Sequence, residues 1–293
     1  HYGALDMSAL TREQENLMEY SLRLGIIGHG FVGGSVSHGF NNDFTKQLII
    51  DPRFGDSNYD DLMGFSPQMV FVCVPTPQMP DGTQDNTIVR KVCSSLYNKN
   101  YKGIVVIKST ITPQSIKYLK TAYGDRLRLV YNPEFLTEAN AKKDFINPPF
   151  QIIGGELDDC IEVEKFYKTH SNVKTCPTYK VDMVAASMIK YTINSFLAMK
   201  VVFFNELNTL FENSGTSESW DTFTDILAQE PRMGPSHMKV PGPDGSRGFG
   251  GNCFPKDTAG FVKYSEQVSD TTGENHILNL LKYATELNRD MRG

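Results

Sequence analysis

Cysteine is scarce in this 293-residue chain: there are five, at positions 73, 93, 160, 176 and 253, with no C-x-x-C pair. An odd, scattered set argues against a disulfide framework and against a cysteine-ligated zinc site. The six histidines lack ligand spacing, so no metal is expected. There is no excess of basic charge. Lys and Arg total 29 against 34 Asp and Glu, a net −5, which argues against general binding to nucleic acid or an anionic membrane. Long uninterrupted apolar runs are also missing. The longest stretch, Ser187 to Phe204, is broken by Lys190 and Lys200 and reads as a buried helix, not a membrane span. No charged segment leading into an apolar one precedes Tyr20, so no signal peptide is expected, and a reducing cytoplasm fits best.

What is present describes an ordinary globular protein, 40% hydrophobic and 22% charged, with a length that suits two domains. The first half alternates short apolar runs with helical patterns, as in a parallel sheet. Strands are expected at Leu22–Ile27, Gln47–Ile50, Met69–Val74, Gly103–Ile107 and Leu127–Tyr131. Two more are expected at Gln151–Ile153 and Val173–Thr175, around a helix at Asp158–His170. Pro113 marks the first turn of another helix. From Val181 to Phe211 the chain is apolar on nearly every face, which predicts one buried helix about 45 Å long. Another helix is expected from about Glu218 to Gln229, then a loop rich in Gly and Pro (231–255) and two closing helices. The fold expected is α/β: a Rossmann-like doubly wound parallel sheet over residues 20–179, then an all-helical domain over 180–293 built on the long helix.

Gly28-His29-Gly30-Phe31-Val32-Gly33 has the G-x-G-x-x-G form, follows a strand and opens a helix. Such glycines allow a tight turn, a close approach of backbone N–H groups to a pyrophosphate, and helix–strand packing. Asp51 lies 23 positions after Gly28, at the end of the next strand. A carboxylate there binds the ribose hydroxyls of adenosine and repels a 2′-phosphate, favouring NAD over NADP. Arg53, close by, leaves NADP open.

Gly248-Phe249-Gly250-Gly251-Asn252-Cys253-Phe254-Pro255-Lys256-Asp257 is the most informative segment. Its glycines bring backbone close to something, and Pro255 suits a first helical turn. Cys253 then sits beside open N–H groups with Lys256 nearby, conditions that favour a thiolate. For the other four cysteines a plain packing role is the better reading.

At this loop the sequence resembles the UDP-glucose/GDP-mannose dehydrogenase family, whose hallmark is G-F-G-G-x-C-x-P-K-D. Further matches follow in family order: Val74-Pro75-Thr76-Pro77, Ser109-Thr110, Asn132-Pro133-Glu134-Phe135-Leu136-Thr137-Glu138, Lys190 to Asn194, Asn205-Glu206 and Pro231-Arg232-Met233-Gly234. The resemblance covers about residues 22 to 290, and the phenylalanines around the glycines and Cys253 favour the UDP-glucose branch.

The resemblance implies oxidation of a nucleotide sugar's CH2OH to a carboxylate, with two hydride transfers to NAD and no release of the aldehyde. Cys253 would be the nucleophile, passing through a thiohemiacetal and a thioester. Lys190 and Asn194 would stabilise the oxyanion, and Asp257 and Glu134 would orient water or act as base. Gly28, Gly30, Phe31, Val32, Gly33, Asp51, Val74, Thr76, Pro77, Ser109, Thr110, Glu138 and Lys256 would line the cofactor. Phe135, Leu136, Arg232, Phe249 and Gly250 would line the substrate, with Arg232 reaching a partner's sugar site in a homodimer formed through the long helix. Four of the catalytic residues also have a structural reading: Lys190 snorkelling, Asn194 as a satisfied buried amide, Glu134 as a cap, Asp257 as a first-turn acid.

Three departures from the family pattern stand out. Only 17 residues separate Asp51 from Met69, so a peripheral strand and helix look pruned. The arginine expected near Pro148-Pro149-Phe150-Gln151 is missing. The sequence ends at Gly293, where the family continues into a third domain that holds part of the nucleotide diphosphate. The competing readings are a two-electron β-hydroxyacid-type dehydrogenase, in which Cys253 has no task, and a non-catalytic NAD-binding module.

Overall fold

The computed structural model describes residues 21–293. These form two compact units, one running through Pro77 and then from Asp85 to Lys190, the other made of Gln78–Gln84 and Tyr191–Gly293.

The first unit is a seven-stranded sheet: β1 (Leu22–Ile27), β2 (Thr45–Ile50), β3 (Met69–Val72), β4 (Ile104–Ile107), β5 (Arg128–Tyr131), β6 (Gln151–Gly155) and β7 (Thr178–Val181). Their order is β2-β1-β3-β4-β5-β6-β7. All pairs are parallel except β5–β6. Strands buried on both faces need unbroken apolar sequence, and β3 (MVFV) and β4 (IVVI) are buried at every residue. The connecting helices are α1 (Phe31–Gly39), α2 (Tyr59–Phe65), α3 (Thr87–Asn98), α4 (Pro113–Tyr123), α5 (Ala141–Ile146) and α6 (Leu157–His170). Two apolar clusters share the strands: one centres on Val70, Val105 and Ile107, the other on Ile26, Phe71 and Val106. Side chains alternate across the sheet, so each strand feeds both.

Two expectations need correcting. Residues 173–175 are not a strand. Lys174 N–H donates to the Ile146 carbonyl and Asn172 N–H to that of Gly39, so this backbone is committed elsewhere and pairing begins after Pro177. The short span after Asp51 keeps a helix: Asn58 and Asp61 form a reciprocal capping box that starts α2. The two compact units divide after Lys190. The first turns of the long helix, α7 (Met183–Glu212), pack Met183 and Ala186 into the sheet's own core.

The second unit holds the rest of α7 with α8 (Trp220–Leu227), α9 (Phe254–Thr272) and α10 (Asn279–Arg292). The segment Gln78–Gln84 joins it: Gln84 Nε2 donates to the Tyr191 hydroxyl at 3.0 Å, and Tyr191 stacks on Phe261 at 5.4 Å. Phe249 closes a second small cluster with Ala198 and Val202.

Candidate functional site

The sheet order reverses between β1 and β3, and in open α/β sheets ligands bind beyond the strand ends at such a switch point. The glycine turn lies there. Gly28 has φ +90°, and a Cβ on it would overlap the Cys73 carbonyl, while one on Gly33 would overlap the Gly28 carbonyl. Those two glycines make the turn and let α1 pack. Gly30 meets only Arg53, at 3.7 Å, and so leaves a backbone approach open at the helix start. Phe31 and Val32 open α1.

Asp51 directly follows β2 and is buried. Its carboxylate accepts the His29 N–H at 2.8 Å and the Arg53 N–H at 2.9 Å, and the Arg53 guanidinium reaches both oxygens, at 3.2 and 3.1 Å. The guanidinium and then the His29 N–H hold its carboxyl well below the usual carboxylate range. A fixed anion facing a glycine-lined helix start suits the adenosine ribose and pyrophosphate of a dinucleotide. The neighbouring strand ends are laced together: Ser109 Oγ donates to the Val74 carbonyl at 2.7 Å and accepts the Val74 N–H, and Thr76 Oγ1 donates to the Thr110 carbonyl. Pro77 is the last residue of this unit before the 78–84 excursion, and Glu138 opens a single 3-10 turn. Lys256, expected with these residues, belongs to the second unit.

Beyond β5 the first unit holds a buried ion pair. Lys190 Nζ lies 3.5 Å from Glu134 Oε1 and also donates to the Glu134 carbonyl, while Glu134 Oε2 accepts the Leu136 N–H at 2.6 Å. The ammonium sits 5.1 Å over the Phe135 ring. Phe135 in turn packs on Phe150, which occupies the stretch where the arginine was missed.

A second buried lysine was not anticipated. Lys108 Nζ donates to Asn132 Oδ1 at 2.9 Å, and the same oxygen accepts the Tyr167 hydroxyl at 2.6 Å. Burial pushes the Lys108 amine down to about 8. Lys108 and Glu134 line one cavity of about 230 Å³ with Phe135, Phe150 and Tyr167. The sequence signal was a lysine closing the buried run Ile104–Ile107, directly before Ser109-Thr110.

In the second unit Cys253 is the N-cap of α9, with Pro255 in the first turn as expected. Asp257 N–H donates to the Cys253 carbonyl at 2.8 Å. Asp257 is buried, accepts Asn194 Nδ2 at 2.7 Å, and has Lys256 Nζ 3.8 Å from its other oxygen. Lys190 and Asn194 are one turn apart on α7, and the unit boundary falls between them. Arg232 is exposed and paired with Glu230. It borders an apolar cavity of about 510 Å³ with Phe196, Phe203 and Leu280. Two loop glycines are occupied by protein: a Cβ on Gly248 would overlap Asn288 and one on Gly250 would overlap Arg292. Gly250 and Phe249 therefore face α10 in this unit. Among the described residues no group of His, Cys, Asp and Glu could hold a metal, and no helix is long and apolar enough to cross a membrane.

Residues 58–171 match the NAD binding domain, and residues 184–290 the central domain, of the UDP-glucose/GDP-mannose dehydrogenase family. A UDP-glucose 6-dehydrogenase of Rickettsia bellii is 33% identical over 244 residues, covering 77% of this chain and 54% of that protein. One from Haloferax volcanii is 26% identical over 287 residues, covering 82% and 65%. A solved UDP-glucose dehydrogenase from Pyrobaculum islandicum shares the fold, with a TM-score of 0.76 at 22% identity over 96% of this chain and 70% of that one. The chain spans roughly half to two thirds of the length of these curated relatives. It belongs to the UDP-glucose/GDP-mannose dehydrogenase family of nucleotide-sugar dehydrogenases, and its first unit carries that family's NAD-binding domain.

Proposed function

We propose that this chain carries the catalytic part of a nucleotide-sugar 6-dehydrogenase that oxidises the CH2OH of UDP-glucose to a carboxylate. The observation that carries the reading is Cys253 at the start of α9, beside an acid that Asn194 holds in place. A helix start stabilises a thiolate, and a two-electron dehydrogenase has no use for one. NAD would supply the hydride acceptor, one molecule for each of the two oxidations, with Asp51 to hold the adenosine ribose and the Gly28–Gly33 turn to face the pyrophosphate. Val74, Thr76, Pro77, Ser109, Thr110, Glu138 and Lys256 would complete its surroundings.

Residues of the chain handle the remaining chemistry. As the alcohol is oxidised to the aldehyde its hydroxyl proton passes through water to the carboxylate of Asp257 or Glu134 and on to solvent, and Lys190 and Asn194 stabilise the oxygen as charge develops. The Cys253 thiolate adds to the carbonyl carbon, forming a C–S bond and a thiohemiacetal alkoxide. Oxidation of this adduct leaves a thioester. Water, oriented by Asp257 and Glu134, adds to the thioester, the C–S bond breaks, and the products are the carboxylate, the thiol and two reduced cofactors per sugar. Phe135, Leu136, Phe249 and Gly250 would border the sugar, and Arg232 of a second copy would reach it across a homodimer. The apolar residues exposed along α7 support that dimer. Five thiols with none in a disulfide support a cytoplasmic setting.

The test is the NADH formed per mole of UDP-glucose consumed. Two support the reading, one points to a β-hydroxyacid-type dehydrogenase, and none to a non-catalytic NAD-binding module.

A further inference from the structure

The segment leading to Cys253 is held by a side chain that the proposed reaction leaves unused. Phe249 N–H donates to Asn288 Oδ1 at 2.6 Å, and Asn288 Nδ2 donates back to the Phe249 carbonyl at 3.0 Å. Asn288 is buried on α10. A buried peptide must satisfy one donor and one acceptor, and a carboxamide offers the matching acceptor and donor side by side. Asn288 thus pairs with Phe249 as an antiparallel neighbour strand would. From α7, Asn205 Oδ1 accepts the preceding Gly248 N–H at 3.0 Å. Gly248, at φ +73°, has no room for a Cβ because Asn288 fills the space.

We propose that Asn288 is a positioning residue for the nucleophile: its two hydrogen bonds to Phe249 hold the Gly248–Asn252 segment in the one conformation that delivers Cys253 to the start of α9. The inference rests on the reading of Cys253 as nucleophile. Three of the five residues in that segment are glycine, so without the clamp its backbone would sample many states. A reacting sulfur spread over many positions is rarely within attack distance of the sugar carbon. It also spends less time near the helix start, whose electrostatics favour the thiolate.

The experiment uses the 293-residue chain carrying Asn288→Ala, with Asn288→Ser as a milder second variant. Two quantities are measured: steady-state oxidation of UDP-glucose, and the rate at which iodoacetamide alkylates each cysteine, resolved by peptide mass spectrometry. In both variants kcat should fall at least about tenfold, with KM for NAD within about twofold of wild type. Alkylation of Cys253 should slow at least about threefold, while buried Cys73, Cys93 and Cys160 stay as protected as in wild type. A wild-type alkylation rate at Cys253 would overturn the proposal, as would labelling of the three buried cysteines in both variants, which would make Asn288 a folding residue. If the wild-type chain forms no NADH from UDP-glucose, the proposed reaction fails, while the alkylation rates still decide whether Asn288 positions Cys253.

Discussion

Asn194 donates its amide to the buried carboxylate of Asp257 at 2.7 Å, which ties the first turn of α9 to the middle of α7. Cys253 caps that same turn, and Asp257 N–H bonds to its carbonyl. A buried carboxylate demands donors, so Asn194 supports the acid and, through it, the helix start that carries the thiol. Its part in the proposed oxyanion site is added to a structural duty that the sequence reading had set out as the competing explanation. The two explanations describe one side chain.

Cofactor choice turns on Asp51. With its carboxyl held far below the usual range, it is an anion at any working pH and would face a 2′-phosphate directly. NAD should bind at least about tenfold tighter than NADP, roughly 1.4 kcal/mol. Asp51→Ser should weaken NAD and narrow that ratio, because Arg53, 75% exposed at its side chain, would be released from the carboxylate to meet a phosphate. Fluorescence titration of both reduced cofactors checks this, and an unchanged ratio in the variant would sink it.

Lys108 leads to a pH prediction. Its amine, pushed down to about 8 by burial against an ordinary 10.5, binds its proton more weakly in the folded chain than in the unfolded one. Stability contributed by this group therefore rises with pH between about 8 and 10.5, and the cost is fully present at pH 7. Glu134 and Cys73 work to raise the value and Lys190 to lower it. Lys108→Met should lack the rise, so urea unfolding at pH 7.5, 9 and 10 should show the wild type gaining on the variant by up to about 3 kcal/mol. A constant difference would show that the amine keeps its ordinary affinity.

Much of the first unit was legible because its code is local. Double-sided burial writes apolar runs, glycines mark the turn, and Asp51 closes the second strand. What was not legible depended on partners distant in sequence. Residues 173–175 look like a strand until the Ile146 carbonyl takes the Lys174 N–H. Lys108 reads as an ordinary strand end until Asn132 and Tyr167 enclose it. The glycines at 248 and 250 were rightly read as sites of close approach, but what approaches them in the second unit is α10. A sequence motif marks crowding without naming the neighbour.

The long helix should mediate self-association. Phe196, Phe203 and Leu210 recur at intervals of seven along α7 and are 61%, 57% and 66% exposed. Phe196 and Phe203 border one apolar cavity together with Leu280 and Tyr283, so the exposed apolar residues there are not isolated. Sedimentation at micromolar concentration should give a dimer, and Phe203→Glu a monomer with its helical circular dichroism intact. A wild-type monomer with full activity would rule the arrangement out.

Substitution of Cys253 tests the covalent step itself. Cys253→Ala should leave NAD binding unchanged and abolish oxidation of the 6-aldehyde, since no thiohemiacetal can form. Cys253→Ser should stop near the aldehyde level, because a hydroxyl at a helix start does not ionise as a thiol can. Lys190→Ala differs in kind. It should slow both oxidations on the order of 10²–10³-fold by removing charge stabilisation from each, and it also removes the counter-ion of buried Glu134. Single-turnover kinetics with the alcohol and with the 6-aldehyde, following NADH, separates these cases: one step lost for the cysteine, both slowed for the lysine. If Cys253→Ala still converts the aldehyde to the acid at the wild-type rate, the thioester is not on the path. The chain would then work as a two-electron dehydrogenase, with its cysteine serving only as the cap of α9.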